Sequence, residues 1–449
     1  MIKRMFFLLT MLTVALSALL AQQVTSAQPR RLGLEDAVQL ALKHNHLVRI
    51  ASLKVEEEQH AKEVARSAYL PLIRNDSFFA HLTDTQNIGI PAGSLGTVAG
   101  TKIPSSAVII NQGALTFATV GTGLTQPLTQ LFKIKSANDV AAADVQASKG
   151  KARSAQDQVA LKVRQLYYGI LVVQSQRQAI EAKMRATEEL QSERVQQVKY
   201  GSTLEADLIE SRAQALQAKQ DLLTSELQLS DLRMQFNDVV GLPINSEVVL
   251  DPNVPTPTAS SPREECVKLA LESNPEIAEA KAVVDKASAG VREAKREYIP
   301  DFEAFTRYSY TNNVPFLVHN FGTFGVHFGY DLFDGGKKRA TLREREVQLA
   351  QATENLAQVS DEIEVKVQTA YNKLERTRQM VDVSQELLAA RKEAQRVSAQ
   401  GLEQGTYLRS QAQAAVAQES EAQTLLLQSQ LQYAQAQDEL NEAIGQSAN

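Results

Sequence analysis

Few side chains in this 449-residue chain stand at spacings that support chemistry. His44 and His46 are two apart. Helical side chains at that spacing point to different sides, so the pair reads as a helix end and not as a metal site. Asp334-Gly335-Gly336-Lys337-Lys338 shares only its glycines with a phosphate-binding loop, because the spaced glycine and the Lys-Ser/Thr pair are missing. Asp334 is expected instead to cap a long helix, with Gly335 and Gly336 easing the bend into it. Most carboxylates are spread along polar helix faces and serve solvation. Glu205, Asp207 and Glu210 differ, since they crowd just past a glycine turn. No catalytic constellation emerges, and the expectation is a protein that is not an enzyme and holds no metal or cofactor.

The elements that carry these residues occur twice. Glu35-Asp36-Ala37-Val38-Gln39-Leu40-Ala41-Leu42 is echoed by Glu264-Glu265-Cys266-Val267-Lys268-Leu269-Ala270-Leu271, an offset of 229 positions (264 − 35). Tyr69-Leu70-Pro71 keeps that offset to Tyr298-Ile299-Pro300. Further on the offset is 204 (405 − 201), shared by Val163 and Val367, Tyr167 and Tyr371, and Gly201 and Gly405. The first copy therefore carries about 25 extra residues before residue 126 (229 − 204). A duplication that keeps order and spacing means two copies of one structural unit. The expected organisation is a signal peptide over 1–27, a first repeat over 28–241, a Pro-rich linker over 242–262 and a second repeat over 263–449.

No proline falls between Pro127 and Pro243, or after Pro315. Both stretches are rich in Ala, Gln, Glu, Leu, Lys and Arg, which favour helix. Val159, Val163, Leu166, Ile170 and Val173 step by 4, 3, 4, 3. Ile363, Val367, Ala370, Leu374, Thr377, Val381, Ser384 and Leu388 do the same. That is a heptad seam between supercoiled helices. A helix over 133–199 would be about 100 Å long at about 1.5 Å per residue. Gly201 and Gly405 are expected to turn each run, and second helices follow over 204–240 and 408–444.

Between the helical stretches the period changes to two. Phe302, Ala304, Thr306, Tyr308 and Tyr310 share one face, and Glu303, Phe305, Arg307 and Ser309 the other. A second alternating run starts at Phe321. The first copy offers a matching pair over 73–84 and 115–126, joined by a Gly-, Ser- and Pro-rich loop over 85–114. Runs of this length suit tilted membrane strands. Nearly half of all Phe and Tyr lie between Tyr298 and Phe333. The absence of Trp runs against an interfacial aromatic belt.

Lys3 and Arg4, an apolar run over 5–20 and Thr25-Ser26-Ala27 read as a secretory signal. The single Cys266 cannot form an internal disulfide. The net charge of −5 and the lack of basic tracts argue against nucleic acid as a partner. Four strands cannot close a barrel, and an open sheet edge in lipid costs several kcal/mol per unpaired group. Membrane strands here therefore require several chains. The fold class expected is mainly α with a membrane β region: duplicated antiparallel coiled-coil helices plus four strands per chain. A periplasmic coiled-coil adaptor and an envelope scaffold without a barrel remain alternatives.

Several short motifs recur in order in both copies. Leu34-Glu35-Asp36-Ala37, Ala41-Leu42 and Asn45 in the first match Glu264, Ala270-Leu271 and Asn274-Pro275 in the second. Tyr298-Ile299-Pro300 precedes strands, and Gln126-Pro127-Leu128 and Leu332-Phe333-Asp334-Gly335-Gly336-Lys337 follow them. In this the chain resembles the TolC-type outer-membrane export ducts, over nearly all of its mature length. The resemblance implies a homotrimer sharing a 12-stranded barrel in the lipid of the bacterial outer membrane, with a helical tunnel through the periplasm. It implies an exit duct for tripartite efflux or type I secretion, with an inner-membrane pump and a periplasmic adaptor docking at the tunnel tip. Tyr200, Gly201, Ser202, Thr203, Gln404, Gly405, Thr406 and Tyr407 would form that tip. Pro127, Asp334, Gly335 and Gly336 would form the strand-to-helix junctions. Members of the family carry acidic residues past the second turn, where this chain has Gln411 and Ala414, so an acidic ring here would come from Glu205, Asp207 and Glu210.

Overall fold

A computed structural model describes residues 30–84, 87–111, 114–254, 261–314 and 318–446. The expected signal segment, together with Pro255 and Pro257 of the expected linker, lies outside these residues. The first copy runs β1 (Arg30–Leu32), α1 (Leu34–His44), α2 (His46–Ser67), β2 (Leu72–His81), β3 (Asn87–Ile90), β4 (Thr97–Val98), β5 (Thr101–Lys102), β6 (Val108–Asn111), β7 (Thr116–Pro127), α3 (Gln130–Lys199) and α4 (Glu205–Val240). After β8 (Val248–Leu250) the second copy runs α5 (Arg263–Ser273), α6 (Pro275–Arg296), β9 (Asp301–Asn312), β10 (Asn320–Gly329), α7 (Lys337–Glu403) and α8 (Arg409–Ala443). Apart from β3–β6, which belong to the extra residues of the first copy, the duplication is kept element by element, and α3 and α7 span 70 and 67 residues.

The chain packs as two units that cut across the repeats. One combines the described residues within 1–51, 152–275 and 360–449, the other those within 52–151 and 276–359. In the first unit the heptad reading holds. Val159, Val163, Leu166, Ile170 and Val173 are all buried, as are Ile363, Val367, Ala370, Leu374, Thr377, Ser384 and Leu388, while Val381 of the second seam is half-buried. Around the α3 seam gather Val38 and Ala41 of α1, Phe236 and Val240 of α4, and Leu431 and Ala434 of α8. Tyr167 packs edge-on against Phe236, with ring centroids 6.2 Å apart. Its hydroxyl donates to the Asp251 carbonyl at 2.8 Å and lies 3.1 Å from that of Leu32, which shares the same hydrogen. Burial pushes this phenol up to about 12. Leu32 ends β1 and Asp251 follows β8, and the two strands pair in parallel. The expected linker therefore contains a strand. Its partner is a three-residue segment ahead of the first helix, too short for period-two patterning to show.

Each copy closes its helices end to end in the same way. Asn45 ends α1, and its amide donates to the Val239 carbonyl at the end of α4, at 3.1 Å. Asn274 ends α5 and donates to Ala443 at the end of α8, at 2.8 Å. A short side chain that both donates and accepts stitches two helix ends whose carbonyls lack intrahelical partners.

The second unit holds one antiparallel sheet of four strands in the order β10-β9-β7-β2. Both copies contribute, through the β7–β9 pairing from Ala118 with Asn312 to Pro127 with Glu303. Residues 85–114, expected as loop, instead carry two small sheets, β3 with β6 and β4 with β5. Cross-strand apolar pairs, Ile88 with Ile110 and Ile90 with Val108, build the first of them. The surrounding glycines and prolines concealed these short strands in the sequence. Among the described residues, no helix is long and apolar enough to cross a membrane.

Candidate functional site

The two helical turns are built alike. At the first, the N–H of Gly201 donates to the Val198 carbonyl and that of Ser202 to Gln197, at 3.0 and 2.9 Å. At the second, Gly405 donates to Leu402 and Thr406 to Gly401, at 3.0 and 2.8 Å. The hydroxyls of Ser202 and Thr406 repeat the contacts of their own N–H groups, each at 3.0 Å. Gly201 and Gly405 have φ of +72° and +71°. Only glycine adopts that backbone without steric cost, so it ends the helix and aims the chain back. Tyr200 is 78% exposed, whereas Tyr407 folds back over Gly401, whose missing Cβ leaves the ring its place.

Of the acidic candidates, Asp207 is committed locally. Its carboxylate accepts from the Thr203 hydroxyl at 2.6 Å and from the Leu204 N–H at 3.4 Å, capping α4. These two donors hold it below the ordinary carboxylate range. In the second copy Gln411 accepts from Leu408 N–H at 2.9 Å, an uncharged version of the same cap. Glu205 and Glu210 are exposed, and Glu210 accepts from Gln214 at 3.1 Å.

Two residues not singled out from the sequence tie the turns together. Glu193, near the end of α3, accepts from the N–H of Ser410 at 2.8 Å and also from its hydroxyl. Glu189, one helical turn earlier, lies 3.6 Å from Arg409. A carboxylate thus sits on the Ser410 N–H, one of the groups without an intrahelical partner at the start of α8. The only signal was the four-residue spacing of two acids on one face of the last turns of α3. Beyond this clasp, α3 and α8 flank an open groove of about 690 Å³, with Ile180, Leu190 and Leu425 on its walls and Lys183 and Glu421 among its polar residues. The seam toward the turns is polar: Ser384 bonds Ser429 at 2.8 Å, Ser175 bonds Thr424 at 2.9 Å, and Arg391 bonds Gln418 at 2.8 Å.

The strand-to-helix junctions lie in the second unit. Pro127 ends β7, and just beyond it the Thr129 hydroxyl donates to the Pro300 carbonyl at 2.7 Å and accepts from Phe302 N–H at 2.8 Å. Asp334 accepts from the N–H groups of Lys338 and Gly336, at 2.8 and 2.9 Å. These donors, Lys338 first, hold its carboxyl below the usual range. Gly335 and Gly336 have φ of +68° and +87°, which supply the bend. Leu332 and Phe333, just before, are 93% and 90% exposed.

A family model described as outer membrane efflux protein matches residues 37–241 and 266–446. The chain belongs to the outer membrane efflux protein family. The two matched stretches follow the two copies, and the likeness to TolC-type ducts read from the sequence is borne out. Among curated proteins no sequence relative matches. Among solved structures, the Campylobacter jejuni CmeC outer membrane channel is 15% identical, with a TM-score of 0.74 over 92% of this chain and 86% of that one. The open state of the Neisseria gonorrhoeae MtrE outer membrane channel is 16% identical, with a TM-score of 0.71 over 93% and 89%. The Vibrio cholerae outer membrane protein VceC is 13% identical, with a TM-score of 0.71 over 93% and 97%. This outer membrane efflux protein is accordingly a channel of the outer membrane that extends into the periplasm and serves efflux, and the adaptor and scaffold alternatives fall away.

Proposed function

We propose that three copies of this chain form the exit duct of a tripartite system, gated at the paired turns by an adaptor and an inner-membrane pump. The observation that carries this reading is the open four-stranded sheet. Among the described residues β2 and β10 are both edges, each paired on one side only. In lipid each unpaired backbone group costs several kcal/mol, and closure removes every edge. Three sheets of four strands give the twelve of a TolC-type barrel. The turns carrying Tyr200 to Thr203 and Gln404 to Tyr407 form the periplasmic tip and meet the adaptor. Glu205, Asp207 and Glu210 supply the acid at its mouth. The duplication supports this, because it presents two nearly equivalent turns per chain for contact.

Fractionated cells and detergent-solubilised protein test the reading. The protein is expected in the outer-membrane fraction and as a particle of three chains by native mass spectrometry. A stable monomer soluble without detergent would sink the shared barrel.

A further inference from the structure

The four-stranded sheet has two unlike faces. One carries Val120, Leu124, Tyr308, Phe324, Val326 and Phe328. The other carries Arg74, Asp76, Glu303, Arg307 and His327. In a closed barrel the first faces lipid and the second the lumen.

On the lumen face, Asp76 of β2 meets two guanidinium groups. Arg74 Nε lies 2.7 Å from one carboxylate oxygen and Arg307 Nη1 3.7 Å from the other. Arg307 belongs to β9, which does not adjoin β2, since β7 runs between them. Its side chain reaches Asp76 by lying across β7. Gly123 is the register partner of Arg307 and Gly121 that of Ser309. Neither offers a side chain to obstruct the crossing, and a Cβ on Gly121 would collide with the guanidinium. Glycine weakens a strand and marks a place where something approaches the backbone closely. Here two glycines at successive lumen-facing positions clear a bed for one arginine, which lies along the wall and leaves the bore open.

The charges in this bed do not cancel. Two cations share one anion, a net positive charge in each chain. The next acid along this face of β9 is Glu303, four residues away, about 13 Å at about 3.3 Å per residue. That exceeds the Debye length of about 8 Å at physiological salt. Threefold repetition turns the surplus into a ring, and charged rings set the ionic preference of a pore.

We propose that Arg74, Asp76 and Arg307 form an anion-favouring station in the barrel lumen. There, solutes bearing carboxylate, phosphate or sulfonate groups are favoured over cations. The inference rests on the trimeric barrel proposed above. It places a filter in the membrane part that is opposite in sign to the acidic residues past the first turn.

Purified protein in planar bilayers under a KCl gradient provides the test, read as the chloride-to-potassium permeability ratio. In Arg74→Gln/Arg307→Gln channels the ratio should fall by about twofold or more, because the local potential that concentrates anions is removed. Asp76→Asn should raise it, and Arg307→Lys should keep it, since the charge remains. An unchanged ratio in the double variant overturns the station. So does a fall in Arg307→Lys as large as that of Arg307→Gln, which would make shape the cause. Should the double variant not assemble, Asp76→Asn carries the test alone, and an unchanged ratio there overturns the station equally. Failure of the wild-type protein to form any channel would instead overturn the barrel itself.

Discussion

Arg164 of α3 is 7% exposed, a charge that water barely reaches. Its guanidinium faces Glu35 of α1 at 3.5 Å and Asp438 of α8 at 3.7 Å. The Tyr168 hydroxyl donates to Asp438 at 2.9 Å. Burial raises the Asp438 carboxyl above its ordinary range, and Arg164 opposes that rise. Taking one partner from a buried ion pair leaves the other charge uncompensated. Arg164→Met should therefore destabilise the protein by about 3 kcal/mol. The sign of its pH dependence follows. A carboxyl whose folded pKa lies above its unfolded value contributes stability at low pH and loses it as pH rises through the folded pKa. Without Arg164 the Asp438 carboxyl rises further, so the variant should tolerate heat better near pH 5 than near pH 8, by a wider margin than wild type. Equal margins in thermal unfolding would refute the role given to Arg164. The sequence did not reveal this cluster, because its members come from three helices far apart in the chain. The counterparts of Arg164, Tyr168 and Asp438 in the other copy, 204 positions away, are Gln368, Asn372 and Met234, so the duplication gave no echo of it.

At the scale of elements, much was legible because period and proline placement are one-dimensional signals. The heptad steps of Val159 to Val173 and of Ile363 to Leu388 located the buried seams, and the alternation from Phe302 located β9. Glycine was a less direct signal. Gly201 and Gly405 turn the chain, yet Gly169 and Gly401 lie inside helices. What separates them is the positive φ and the packing around each, neither of which composition records. The segment over 85–114 shows the opposite error, with short strands hidden by turn-forming residues. Its β4–β5 hairpin turns at Ala99 and Gly100, with φ of +52° and +80°. β2 and β7 meet their helices at one end and this segment at the other, so in the barrel proposed above it is expected to face outside the cell. A short epitope inserted after Gly100 should leave export intact, because exposed hairpin turns tolerate insertion. Antibody should label it on whole cells. Labelling only after the outer membrane is permeabilised would place the segment on the wrong side.

For the whole molecule, the question is what keeps such a duct shut. Well-packed apolar seams have one arrangement, whereas polar seams of short hydroxyl contacts shift more readily. In the first unit the apolar seam around Tyr167 and Val163 gives way toward the turns to Ser384 with Ser429 and Arg391 with Gln418. There the clasp of Glu193 on Ser410 joins the first-copy hairpin to the second. We propose a resting trimer closed near Gly201 and Gly405, opened by small rotations of the α7–α8 hairpin that must release this clasp. Glu193→Ala removes it and leaves the Ser410 N–H and hydroxyl to water, so bilayer conductance of the resting channel should rise. Ser202→Cys with Thr406→Cys, in a Cys266→Ser background, should do the reverse when neighbouring turns are cross-linked. Export should stop while trimer assembly persists. Full export through cross-linked trimers would show that the turns are not the gate. Unchanged conductance in Glu193→Ala would leave the gate in place and remove Glu193 from it.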